Sequence, residues 1–232
     1  MLQLQATNEL ELLKILAETD ISVPRRSEDR TKDHTERYAI AHLLSALAGK
    51  DRISYPLILT QRNRPDFLLT SDTTKIGIEH TEAVPENEAH KTVLREKRYA
   101  PDEYFISHHK PGEPKKHKKE LIKEIVTNRA GASWVGDSME REWAEAMFHF
   151  IERKVVSLLK DGFDRFDLDW LLIYDNWNPA VDRYKAATFL LKFVTENGVL
   201  QNFERIFIIT GEYVCEIATA GMQFFYVNDL WN

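Results

Sequence analysis

Two acidic residues, Asp66 and Glu79, lie in the one stretch of this chain whose residue types could do chemistry. It reads Arg64-Pro65-Asp66-Phe67-Leu68-Leu69-Thr70, then Ser71-Asp72-Thr73-Thr74, then Lys75-Ile76-Gly77-Ile78-Glu79-His80-Thr81-Glu82. Both outer runs are β-prone, and the polar connector has hairpin length. In the second run the two-residue period of a strand puts Ile76, Ile78 and His80 on one face and Gly77, Glu79 and Thr81 on the other. Antiparallel pairing brings Asp66 and Glu79 together at one end of the hairpin. Carboxylates that close repel each other unless a cation lies between them, and their oxygens suit Mg²⁺ or Mn²⁺. A hard cation held so can bind a phosphate oxygen, acidify water and stabilise the charge of an in-line displacement. A hairpin with a Pro-Asp turn and one exposed glutamate explains the same residues without chemistry.

The elements around the hairpin must position these acids. Residues 8–19 read as a short amphipathic helix, and the charged stretch 22–32, with Pro24, as a loop. A second helix is expected from about Asp33 to Ala48, stopped by Gly49, with Ile40, Leu43, Leu44 and Leu47 as its apolar stripe. Glu36 falls on that stripe. Asp33-x-x-Glu36 has the spacing of a capping box, in which the glutamate only bonds the start of its own helix. Residues 53–61 read as a strand entered at Pro56.

Further along the chain, a long helix is expected over 139–160, with Met147, Ile151, Val155 and Leu158 buried. Lys154 lies on the same stripe, where an ammonium is costly unless it reaches water or meets an acid. The near-continuous apolar run from Leu168 to Tyr174 reads as a central strand. A helix at 180–195 and a strand at 205–210 follow, and 213–227 fits either a hairpin around Ala220-Gly221 or a short helix.

Helix, three strands, helix and strand, with Pro65-Asp66 and Glu79-His80-Thr81 at the far end of a hairpin, resembles the PD-(D/E)xK nuclease superfamily. The resemblance spans about residues 33–174 and implies an α/β fold: a restriction-endonuclease-like mixed central sheet flanked by helices. It implies Asp66 and Glu79 as metal ligands, the backbone carbonyl of His80 as a third, and Glu36 as an optional acid of the same site. Thr81 stands where that family has its lysine. Lys154, placed by helical geometry rather than by motif, is the candidate replacement, with Lys75 and Lys91 behind it.

The composition, 43% hydrophobic and 29% charged over 232 residues, bounds the chain as an ordinary globular protein able to bury a core. We read it as one nuclease-like domain with an N-terminal helical extension at 1–32 and an insertion at about 83–138. No apolar run approaches membrane-spanning length and no signal segment opens the chain, so a cytoplasmic location without membrane contact is expected. The single cysteine, Cys215, excludes an intrachain disulfide and reads as an inert core thiol.

A net charge of −6 argues against a uniformly basic nucleic-acid coat. The insertion nevertheless concentrates positive charge, and Lys91, Arg95, Lys115, Lys116, Lys118 and Lys119 are the candidate nucleic-acid contacts. Helices are expected at 86–97 and 118–129, with an irregular stretch between them carrying His108, His109 and His117. The expected function is a Mg²⁺- or Mn²⁺-dependent nuclease acting on DNA, with Asp66, Glu79, Lys154 and Glu36 as catalytic residues and a homodimer as a further expectation. The alternative is a nuclease-fold module without catalysis that binds nucleic acid or a protein partner.

Overall fold

A computed structural model describes residues 2–99, 109–128, 135–160, 164–177 and 181–231. Its centre is one open sheet of eight strands, in which each strand hydrogen-bonds to the next in chain order. They are β1 (Gln3–Ala6), β2 (Leu57–Gln61), β3 (Phe67–Ser71), β4 (Lys75–Ala83), β5 (Leu168–Asp175), β6 (Arg205–Thr210), β7 (Tyr213–Ala218) and β8 (Gly221–Tyr226). The β4–β5 and β5–β6 pairs are parallel and the others antiparallel, giving a mixed α/β sheet. Parallel neighbours require long crossovers, and here helices supply them.

Side-chain alternation along the central strands divides the core in two. Ile76 and Ile78 of β4 and Trp170 and Leu172 of β5 pack with the helices α1 (Glu9–Glu18) and α2 (Lys32–Leu47). Leu171 and Ile173 face the opposite way, onto α5 (Ser138–Leu158) and α6 (Arg183–Glu196). The helix α5 buries Trp143, Met147, Phe150, Ile151 and Leu158, a 3.6-residue stripe, and each such side chain is worth about 1.5–3 kcal/mol when taken from water. Lys154 lies on this stripe.

The helices α3 (Glu86–Leu94) and α4 (Lys118–Thr127), with a π-helical turn at Arg95–Tyr99, share a small separate core of Leu94, Leu121 and Ile125.

Several expectations change. The segment before residue 32 is not purely helical: Gln3–Ala6 forms an edge strand on β2. The helix α2 begins one residue early, at Lys32, so Thr31 is its N-cap and His34, not Glu36, bonds back to the Thr31 backbone N–H, at 3.0 Å. The strand expected from residue 53 starts at Leu57, immediately after Pro56. The ambiguous C-terminal segment is the β7–β8 hairpin. Cys215 is buried, and burial pushes its thiol up to about 12, as an inert core cysteine requires. Much of the irregular stretch between α3 and α4, including His108, and the expected helix end at Arg129 lie outside the described residues. No described helix is long and apolar enough to cross a membrane.

Candidate active site

The hairpin register pairs Phe67 with Ile78, so Asp66 and Glu79 are the next opposed positions at its open end. Phe67 and Ile78 are both buried toward α1 and α2, and one step along each strand turns the side chains the other way, toward α5. There Lys154 reaches in. Its Nζ donates to Glu79 Oε2 at 2.7 Å and lies 3.6 Å from Asp66 Oδ2. The ammonium is therefore held between the two carboxylates, and the lysine side chain, 20% exposed, does not run out to solvent.

Asp66 precedes the first residue of β3 and so is reached from both layers. Its Oδ1 accepts from Lys32 Nζ at 2.5 Å, and its Oδ2 accepts the backbone N–H of His80 at 2.7 Å. Lys32 also contacts Glu36 Oε1 at 2.7 Å, one helical turn along α2. Glu36 Oε2 accepts from Gln61 Nε2 at 2.7 Å, at the end of β2. Glu36 is thus a buried acid joined to the Asp66 cluster rather than a helix cap.

Three carboxylates face two ammoniums, and their proton affinities record that shortage of positive charge. Burial raises the Glu79 carboxyl above its ordinary value; the charge of Lys154 opposes this and that of Asp66 adds to it. Burial likewise raises Glu36, against Lys32 and with Asp66. Burial would raise Asp66 as well, but Lys154, Lys32 and the His80 N–H together pull it below the usual carboxylate range. The site thus holds one firmly ionised acid and two whose ionised forms are under-compensated. His80 is wholly buried, and burial pushes its imidazole down to about 3, so the ring is neutral. Among the described residues its Nε2 meets no hydrogen-bond partner.

This donor set suits a hard divalent cation, because oxygen ligands with excess negative charge are what Mg²⁺ and Mn²⁺ take. Among the described residues, no three His, Cys, Asp or Glu side chains already stand as a ligand cage. The two ammoniums bridge the acids instead.

The remaining candidates lie elsewhere. Lys75 is exposed at the start of β4. Lys91 is 2% exposed and points inward to Glu124 at 3.3 Å, while Arg95 pairs with Glu88 at 3.0 Å. Lys115 pairs with Glu86 at 3.0 Å and Lys116 with Glu124 at 2.7 Å. Glu124 also accepts from His109, at 3.0 Å, so it ties the insertion together. Lys118 and Lys119 are exposed on the first turn of α4.

Sequence reasoning overlooked Lys32 and Gln61. The signal for Lys32 was present, since a lysine four residues before an inward glutamate shares its helix face. Gln61 had no such signal, because its role arises only where β2 passes α2. Compared with protein-family models, curated proteins and solved structures, the chain matches none, and the chemistry of the site itself carries the functional reading.

Proposed function

We propose that this chain is a metal-dependent nuclease of the PD-(D/E)xK, restriction-endonuclease-like kind, hydrolysing phosphodiester bonds in DNA. The observation that carries the reading is Lys154: an ammonium from α5 seated 2.7 Å from Glu79 and 3.6 Å from Asp66. Thr81 offers no charge beside the carboxylates, and Lys154 supplies it from another element. The order of α2, three strands, α5 and β5 supports the same reading.

Asp66 and Glu79 would hold Mg²⁺ or Mn²⁺, with Glu36 adding negative charge at the Lys32 side. When bound, the cation supplies Lewis acidity and acidifies water at the phosphodiester. Asp66, kept ionised by Lys32, Lys154 and the His80 N–H, is the fixed anion of the site. Lys154 orients the attacking water through its free N–H donors and offsets the negative charge that builds on the phosphoryl oxygens in the transition state. Lys32, whose side chain is exposed, can leave the acids for a substrate phosphate. His80, neutral and buried, holds Asp66 through its backbone and transfers no proton.

A second reading is a module that binds nucleic acid or a protein without cleaving. It is favoured by the way the two ammoniums already bridge the three acids. Cleavage of single- and double-stranded oligonucleotides with Mg²⁺ or Mn²⁺, alongside Glu79→Gln, separates the two. We expect metal-dependent hydrolysis by the wild type and at least a hundredfold loss in Glu79→Gln. Full activity in that variant, or no calorimetric Mg²⁺ binding by the wild type, rejects the nuclease.

A further inference from the structure

A cavity of about 460 Å³ opens directly beside Lys154, and its walls include Arg26, Arg30, Lys32, His80 and Thr81. Arg26 and Arg30 come from the irregular segment before α2, which no part of the nuclease reading uses. That segment is anchored: the Glu96 carboxylate accepts the Ser27 backbone N–H at 2.7 Å and that of Arg26 at 3.4 Å. Both guanidiniums donate to the same oxygen, Oε1 of Glu82, at the end of β4, and Asn176 Nδ2 donates to it as well, at 2.5 Å. One carboxylate oxygen has two lone pairs, and a guanidinium has five N–H donors. Among the described residues, two arginines and an amide on one oxygen leave several guanidinium N–H donors without an acceptor; Glu82 is the one carboxylate that both guanidiniums touch, and Glu96 adds its charge beside Arg26. Lys32 and Lys154, by contrast, each meet two carboxylates.

A second cavity, of about 810 Å³, shares Thr81, Glu82 and Lys154 with the first and continues past exposed Arg153 on α5. The two cavities therefore adjoin at Lys154. A strand passing through both would meet Lys154 and, in the first cavity, Arg26 and Arg30.

We infer that Arg26 and Arg30 form a phosphate subsite next to the Asp66–Glu79–Lys154 centre, which takes the phosphate adjacent to the scissile one. The inference rests on the nuclease reading for its substrate but not for its ligand chemistry. Planar guanidiniums match phosphate oxygens two at a time, which a lysine cannot do. The phosphate can be an internal diester of a continuous strand or a terminal monoester, and the two sources imply different modes of cleavage. Glu82 is the competing anion that holds the arginines in place when no phosphate is bound.

The test uses the full chain without added metal and reads binding, not turnover. Inorganic phosphate is titrated while the arginine side-chain signals are followed by NMR, and anisotropy is measured with oligonucleotides carrying a 5′-phosphate or a 5′-hydroxyl. Arg26→Gln and Arg30→Gln should each weaken phosphate and oligonucleotide binding by about tenfold. Glu82→Gln, which removes the competing charge while keeping an acceptor oxygen, should strengthen phosphate binding. A preference for the 5′-phosphate identifies a terminal monoester, and indifference to it an internal diester.

If the arginines only fasten their segment to β4, Glu82→Gln lowers stability and does not strengthen phosphate binding, and the subsite is overturned. Unchanged oligonucleotide affinity in the folded arginine variants overturns it too. Phosphate binding that depends on the arginines in a protein that cleaves nothing retains the subsite and rejects the nuclease; cleavage without such binding does the reverse.

Discussion

Replacing Lys154 with methionine keeps an unbranched four-atom stem of similar shape and removes the ammonium. Glu79 then loses its one close cation, whereas Asp66 keeps Lys32 and the His80 N–H. Breaking a fully buried pair costs about 3–5 kcal/mol. Lys154 is partly exposed and only one of its acids is stranded, so about 2–3 kcal/mol is expected near pH 8. For a chain of this length that lowers the melting temperature by roughly 5–10 °C.

The pH dependence has a definite sign. The folded-state pKa of Glu79 is already raised, so its stabilising contribution is complete below the unfolded carboxyl value and is lost as pH rises through the folded value. Removing Lys154 raises that folded value further. The Glu79 part of the deficit should therefore be largest at pH 7–8 and shrink as pH falls through the folded value, leaving near pH 4 the smaller part that comes from Asp66, whose carboxyl Lys154 helps hold down. Mg²⁺ should narrow the gap at pH 8, because a cation at the acids replaces the missing charge. Urea denaturation at the two pH values, with and without Mg²⁺, measures this, and the same protein should cleave oligonucleotides at least a hundredfold more slowly. Equal stability of wild type and variant at pH 8, with unaltered cleavage, would refute both the coupling and the role of the lysine.

Asp175, held by Trp143, Arg183 and the Trp177 N–H, is pushed up to about 6 by burial, so its contribution declines as pH rises from about 4 through 6. Wild-type stability should fall by roughly 3 kcal/mol over that window from this group, and Asp175→Asn should flatten the slope. Charge reversal at Lys118 and Lys119, the exposed lysines of α4, should reduce the salt dependence of oligonucleotide binding by up to about one unit of log–log slope for each phosphate these lysines neutralise; an unchanged slope assigns this face to something other than nucleic acid. Gly77→Ala should destabilise by about 1–3 kcal/mol, because its Cβ would lie 2.8 Å from the Phe166 ring and 2.9 Å from Asp169 Oδ1, and thermal melts measure the loss.

Periodicity and local chemistry made much of the fold legible. The two-residue alternation of β4 and the apolar run of β5 are properties of the chain alone, since each side chain's face follows from backbone geometry. The hairpin that brings Asp66 to Glu79 was legible for the same reason, as was the stripe of α5 that turns Lys154 inward. The strand at Gln3–Ala6 was not: four residues carry too little pattern, and they become a strand only because β2 presents an unpaired edge.

The sequence by itself determined which acids share an end of the hairpin and which helix face carries Lys154. Only the tertiary structure decided that the ammonium meets Glu79 and Asp66, because the same stripe is equally compatible with a side chain that runs out to water. It also decided that Glu36 joins Lys32 and Gln61 rather than capping its helix, which turned on a start one residue early. Of the lysines that looked like a nucleic-acid surface in the chain, Lys91 turns inward to Glu124, whereas Lys115 and Lys116 pair with Glu86 and Glu124 and keep much of their surface exposed. Charge is a property of residues, but whether a charge faces solvent or a partner depends on what the fold places opposite it, and local sequence carries no record of that.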